Sequence, residues 1–301
     1  MIDVHAHYVP DGYRAALLGH GHDRPDGFPQ IPAWLAEEHV AAMDRLGIAT
    51  SVLSISSPGV HLGDGRGTVE LAREVNDAGH RAVVNHPGRF ALLASLPLPD
   101  VDAVMAEIAY CCDRLDIAGF AVLTNVGGTY LGDPAFAPVF RELDRRGARL
   151  FIDPTSPPCW EHTSFGRPRP MVEFFFDTTR TIAKHPDIEV IVPHAGATLA
   201  MVADRVTTIA LLLDIDPAVD VHRDLGRLHY DLAGFPLPRQ LAALLTLTTR
   251  EHLHYGSDYP FTPEFAAAMA AERLDEQPGL LDELGANTQR LFPAITTPPT
   301  R

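Results

Sequence analysis

The stretch Met1-Ile2-Asp3-Val4-His5-Ala6-His7 opens the chain with an apolar-polar alternation that ends in two histidines. Side chains two apart on a strand project to one face, so His5 and His7 point the same way. A doubly wound open sheet wants a Gly-rich turn after its first strand, and His-Ala-His stands there instead. Working outward, seven more short apolar runs follow, over 51–56, 91–97, 119–126, 149–154, 189–194, 228–233 and 253–260. Each is branched or aromatic and closed by Gly, Pro, Ser or a polar residue, as buried parallel strands are. Between them a 3.6-residue periodicity predicts helices over 33–46, 68–84, 101–115, 134–146, 171–183, 199–213, 238–248 and 263–271, with a ninth over 280–291. Eight strand–helix units in this length predict the α/β class, a (β/α)8 TIM barrel, with residues 1–301 forming a single domain.

Composition narrows the function. Apolar residues make up 46% and charged residues 21%, enough for a large core and unlike a disordered chain. The formal charge of −15 argues against a nucleic-acid or anionic-membrane partner. Of 24 basic residues only Lys184 is a lysine, which leaves little room for Schiff-base chemistry, a pyridoxal cofactor, a P-loop or a carbamylated-lysine metal bridge. The longest apolar runs, such as 209–213, are too short to span a bilayer. The opening residues lack a basic-then-apolar leader pattern. Three cysteines, two of them the adjacent Cys111 and Cys112, imply no disulfide framework. A cytoplasmic location is the expectation.

Barrel chemistry sits on the loops that follow the strands, here the long Gly- and Pro-rich segments 10–32, 58–67 and 155–170. Two imidazoles near the end of a strand are natural ligands for a divalent metal. The same spacing recurs twice more. His20 and His22 flank a glycine in a loop, as solvent-exposed or lid residues, and His252 and His254 open the last strand at the far end, where packing and hydrogen bonding are expected. Company singles out the first pair: Asp153, His194 and Asp258 all fall at the ends of predicted strands, so five ligand-type residues can converge at the barrel mouth. Trp160, Phe165, Phe261 and Tyr130 lie in mouth loops, placed to wall an aromatic ring or to serve as core and lid. Cys159 has no adjacent base and is expected to pack rather than react.

The strings MIDVHAHYVP, DRLGIATSVLSIS, ASLPLPD, FIDPTSPP, VIVPHAGATLAMVADRV, YDLAGF, LHYGSDYPF and ANTQRLF run from Met1 to Phe292. On them the chain resembles the amidohydrolase superfamily, in its branch of metal-dependent, non-oxidative decarboxylases related to aminocarboxymuconate-semialdehyde decarboxylase. The strings SSPGVHLGD, LTNVGGTYLGDP and PTSPPCW are most similar to the 6-methylsalicylate decarboxylases of that branch. The resemblance implies a small aromatic carboxylic acid of salicylate type as substrate and a homodimer. It implies one divalent metal, Zn2+ or alternatively Mn2+ or Mg2+, bound by His5, His7 and Asp258 with Asp153 in the third ligand position. His194 would activate a metal-bound water or polarise substrate, and Asp258, its carboxyl pKa raised, would be the proton donor. Arg205, eleven residues after His194, would bind substrate carboxylate across a subunit interface, or else make an ordinary surface ion pair.

A second, lysine-bridged metal would need a lysine at the end of the fourth strand, where 123–125 read Leu-Thr-Asn; Lys184 falls at the opposite end. Two departures from the family stand out. Asp153-Pro154 replaces the usual His-Pro, which makes the ligand set harder and favours manganese or magnesium. The segment between FFFDTTRTI and HPDIEV is also about ten residues short of the family pattern. These leave two competing readings: a lactone or amide hydrolase using the same metal site, and a metal-poor, catalytically impaired homologue.

Overall fold

The computed structural model describes residues 1–63, 65–157, 184–212 and 220–295. Eight strands pair in one parallel sheet whose order follows the chain: β1 Ile2–His7, β2 Thr50–Ser54, β3 Phe90–Ser95, β4 Gly119–Leu123, β5 Arg149–Asp153, β6 Glu189–Val192, β7 His229–Asp231 and β8 Leu253–His254. Parallel bridges from Asp3 to Tyr255 and from Ala6 to Tyr259 return the last segment to the first strand. Val4 N–H donates to Tyr255 at 2.9 Å and His7 N–H to Tyr259 at 2.7 Å. The sheet thus curls into the expected (β/α)8 barrel.

Local signals explain the helices between strands. Helix Ala36–Leu46 stops at Gly47, whose left-handed φ of 69° a side chain would oppose. Helix Val101–Arg114 starts where Asp100 accepts the Ala103 N–H at 3.0 Å. Residues 134–146, expected as one helix, divide into a 3-10 turn Pro134–Phe136 and an α-helix Ala137–Arg145. The helix Leu280–Leu291 forms as expected. The helix predicted over 171–183, the shortened segment before the sixth strand, Cys159, Trp160 and Phe165 lie outside the described residues.

Two apolar clusters divide the core. The larger fills the space between sheet and helices, and the smaller joins Ile2, Val4, Val52, Leu93, Ala121, Phe151 and Ile191 to Leu291, Phe292 and Ile295 of the C-terminal segment. Successive strands supply the smaller cluster, so it fills the barrel interior below the mouth, stoppered by the residues that end and follow the last helix. In β1 the pairing register slips between Asp3 and Ala6. A one-residue slip exchanges the faces of a strand. Ile2 and Val4 therefore fill the interior lower down, while His5 and His7 take the inward face at the mouth.

Candidate metal centre

His5 and His7 are both buried, and their Nε2 atoms face each other 2.9 Å apart. Asp258 Oδ1 stands 3.5 Å from His5 Nε2 and 3.3 Å from His7 Nε2. One ligand atom from each of these three residues lies within 4.8 Å of the other two. The outer nitrogens are anchored. His5 Nδ1 meets Asp231 Oδ2 at 3.0 Å, and His7 Nδ1 meets the Ser54 hydroxyl at 3.1 Å. A histidine that donates from Nδ1 presents the Nε2 lone pair inward, and partners of this kind orient metal-binding imidazoles. Two such lone pairs 2.9 Å apart repel unless a cation or proton lies between them. The donor set therefore fits a divalent metal.

The electrostatics agree. Burial alone would lower the His5 pKa, but the carboxylates of Asp231 and Asp258 carry it well above the ordinary imidazole value. A buried site that draws a proton onto an imidazole is short of a cation. Asp258 is half-buried, and loss of solvation would raise its carboxyl, yet hydrogen bonds from His5 and His7 hold it below the usual carboxylate range. The expectation of a raised Asp258 pKa is thus corrected. Beside the cluster, the carboxyl that burial does push up is that of Asp153, where the nearby histidines only partly offset the loss of solvation. Asp153 Oδ1 is 3.9 Å from His5 Nε2, and its other oxygen accepts the Ser56 hydroxyl at 3.0 Å. The aspartate side chain stops short of the tight three-residue cluster, as the exchange of His for a shorter residue predicts.

Two of the expected strand-end residues sit beyond their strands. β6 ends at Val192, and His194 begins a 3-10 turn with φ 54°. Its N–H donates to Asp231 Oδ1 at 3.1 Å, and its ring centroid is 5.0 Å from that of His5. Gly234 (φ 80°) permits this approach, since a Cβ there would meet His194 Nδ1 at 3.2 Å. β8 ends at His254, and Asp258 (φ 58°) lies on the segment beyond, its N–H donating to the His5 carbonyl at 2.8 Å. The expected runs 189–194 and 253–260 are thus too long, because tight left-handed turns rather than extended backbone aim these two residues inward. Asp231 was missed as a site residue. It accepts from the His5 ring and from the backbone of His194 and Ala233, and it ends β7 by the same rule that singled out the others. Asp3 anchors the opposite side, bonding the His5 and Ser257 N–H groups, and burial pushes its carboxyl up to about 6.

Phe261 stands beside the cluster, its ring centroid 5.4 Å from His7 and 5.7 Å from Phe28. Tyr130 is half-buried on the hairpin formed by Asn125–Val126 and Thr129–Tyr130 after β4. Arg205 is exposed on helix Leu199–Leu212 and makes no ion pair with another described residue. A cavity of about 580 Å³ opens among the loops that follow β1 to β5, walled by Ile55, Val60, Leu96 and Val122 and by the polar Asp26 and His61. Its rim reaches Thr155, two residues past Asp153.

A parallel barrel with two histidines facing inward at the mouth end of its first strand, and an aspartate just past its last, defines a class of metal-centred barrel enzymes. The chain belongs to the amidohydrolase family, whose sequence model matches residues 2–292. It is 31% identical to the 6-methylsalicylic acid decarboxylase acuB of Aspergillus aculeatus, covering 98% of this chain and 96% of that one. A solved amidohydrolase II is 35% identical, covers 97% of this chain and 99% of its own, and superposes with a TM-score of 0.88. A 5-carboxyvanillate decarboxylase from Novosphingobium aromaticivorans, solved with manganese and a nitrobenzoic acid, shares the fold at 20% identity and a TM-score of 0.82, with 97% and 95% of the two chains covered.

Proposed function

We infer that this protein is a metal-dependent, non-oxidative decarboxylase, a carbon-carbon lyase that releases CO2 from a small aromatic carboxylic acid of salicylate type. The observation that carries this is the convergence of His5, His7 and Asp258 within 4.8 Å inside the barrel mouth. The full-length likeness to a 6-methylsalicylic acid decarboxylase supports the same reading and makes 6-methylsalicylate the first substrate to try. His5, His7 and Asp258 would hold one divalent ion, with Asp153 reaching it directly or through water. The ion would be zinc or, given the oxygen-rich set, manganese or magnesium. Such an ion supplies orientation of the substrate's carboxylate and ortho oxygen and stabilises developing negative charge.

The protein's own groups do the rest. Loss of CO2 from a ring carbon requires a proton at that carbon, and Asp258 with His194 is the pair assigned to pass it on. Asp258, held ionised by His5 and His7, would first take up a proton that the substrate or Asp153 supplies. Thr262 donates to Asp258 Oδ2 at 2.9 Å and fixes that carboxylate's orientation. Asp153, whose carboxyl burial pushes up, is the group able to retain a proton within the site. Phe261 offers a ring edge to an aromatic substrate; Trp160 and Phe165 are assigned the same role.

A homodimer is part of the reading. Met201, Leu211 and Leu212 are 75%, 77% and 78% exposed on the helix that carries Arg205, an apolar surface suited to a second copy. Arg205 would then offer its planar fork to a carboxylate across the interface. Elemental analysis of purified protein, coupled to CO2 release from salicylate-type acids, tests the proposal. About one metal per chain together with CO2 release is the expected result. Turnover of a pyrone lactone without CO2 release from any acid would overturn it in favour of hydrolysis. Well under one metal per chain, with both metal and turnover gained in Asp153→His, would mark an impaired homologue.

A further inference from the structure

The cavity beside the metal centre contains one polar group whose bonding is incomplete. Asp26 lies on the loop after β1, in the turn Pro25–Gly27, and is only 6% exposed. Its Oδ1 is fully used, accepting the Ser156 N–H at 3.0 Å and the Ser156 hydroxyl as well. Asn125 in turn donates to the Ser156 carbonyl at 3.1 Å, so the loops after β1, β4 and β5 are stitched together at this point. Asp26 Oδ2 is buried and has no hydrogen-bond partner among the described residues. Asp26 forms part of the cavity wall.

A buried carboxylate oxygen left without a donor costs free energy, and native structures keep such groups where a ligand completes them. His22 and Arg24 line the same wall, but neither donates to Oδ2. The Tyr13 hydroxyl, close enough for Asp26 to raise its pKa, donates to the carbonyls of Ser56 and Gly59 instead. The His61 ring is engaged with Thr68 through Nδ1 at 2.9 Å. The remaining lining mixes apolar side chains with polar ones such as Ser95 and Thr155, and the cavity volume of about 580 Å³ is in the range of small-molecule sites.

We propose that Asp26 is a specificity-determining residue that accepts a hydrogen bond from a donor group on the substrate. This rests on the decarboxylase reading of the site and narrows it. The preferred substrate carries, besides the carboxylate and ortho oxygen that face the metal centre, a further hydroxyl or amino group. 6-Methylsalicylate lacks such a group, so that acid is the poorer substrate beside a hydroxylated analogue. The further donor completes Asp26 Oδ2. A methyl or methoxy group in its place leaves the oxygen unpaired and excludes any water that served it, so the loss falls on the wrong substrate twice over.

The test is a set of 2-hydroxybenzoic acids that carry a further hydroxyl or methoxy group at each remaining ring position, assayed as kcat/KM on the metal-loaded enzyme. At one position at least, the wild type favours hydroxyl over methoxy by ~10-fold or more, as a charge-assisted hydrogen bond allows. In Asp26→Ala that ratio falls to within ~3-fold of one. Asp26→Asn, which preserves the shape, loses or reverses the ratio, because its oxygen is taken by Ser156 and its NH2 faces the substrate. Ser156→Ala, which removes the Ser156 hydroxyl and leaves Oδ2 intact, keeps the wild-type ratio. No preference in the wild type at any position, or a preference that survives both Asp26 variants, overturns the proposal. If no acid releases CO2, the decarboxylase reading fails separately. The same hydroxyl-to-methoxy ratio is then read from calorimetric dissociation constants of the acids, with the same expected and overturning outcomes.

Discussion

Two histidine clusters occupy opposite ends of this barrel, built on the same His-x-His spacing. At the mouth, His5 and His7 face carboxylates on several sides: Asp231 at 3.0 Å, Asp258 at 3.3 to 3.5 Å and Asp153 at 3.9 Å. At the base, His229 Nδ1 pairs with His254 Nε2 at 2.8 Å, and the His229 and His252 rings stack with centroids 4.9 Å apart. His254 Nδ1 meets the Thr288 hydroxyl at 2.9 Å, His252 Nδ1 meets the Leu228 carbonyl at 3.2 Å, and one carboxylate, Glu189, reaches His229 at 3.2 Å. The consequences oppose each other. Carboxylates draw a cation toward the mouth, whereas burial and neighbouring histidines hold His252 and His254 below their usual pKa, and so neutral. The motif does not decide the chemistry; the number of anions around it does.

The sharpest way to break this contrast is to remove one histidine from each end. His5→Ala should lose the metal and lower kcat/KM by ~10³-fold, about 4 kcal/mol of transition-state stabilisation. His254→Ala should keep the wild-type metal content. Metal analysis beside CO2 assays checks both, and loss of metal from the base variant alone would invert the assignment of the two ends. A smaller effect follows at Asp231, which orients His5 without being in the tight cluster. Asp231→Asn should weaken metal binding by ~10- to 100-fold in a chelator competition, the usual cost of losing such a partner. Unchanged affinity would mean that Asp231 serves the His194 turn alone.

The contrast was partly legible beforehand. Eight apolar runs predicted eight strands in the right order, because buried parallel strands leave a hydrophobic trace that survives in a single sequence. His5, His7 and Asp258 were legible because their residue types carry ligand chemistry and their positions fall near strand ends. Asp231 obeys the same rule, but a lone carboxylate among the apolar residues of YDLAGF, with no second ligand type beside it, does not stand out in the sequence. The direction of the Asp258 pKa could not be read at all. It depends on two hydrogen bonds between β1 and the segment after β8, and sequence spacing carries no information on which carboxylate receives them. Asp26 was equally hidden, because its incomplete bonding exists only once the loops after β1 and β5 have met.

The mildest test of the contrast uses protons in place of a metal. His254 is fully buried with its folded-state pKa well below the ordinary value of 6.5, mainly through burial and then through His229 and His252. Below about pH 6.5 the unfolded chain takes up a proton at this position that the folded chain refuses. Stability that is fully present above the unfolded pKa is therefore lost as the pH falls, by at most about 1.4 kcal/mol per pH unit for one such group. Urea unfolding of chelator-treated protein between pH 7.5 and 5 should show that decline in the wild type and a shallower one in His254→Gln. Glutamine retains hydrogen-bonding capacity but cannot titrate. His5, on the other hand, is raised by its carboxylates against the opposing effect of burial, and it gains a proton on folding only above about pH 6.5. His5→Gln should therefore lose the rise in stability between about pH 7.5 and 6.5 and keep the wild-type decline below it. A shallower decline in both variants would mean that burial alone governs both ends and that their neighbours do not set them apart.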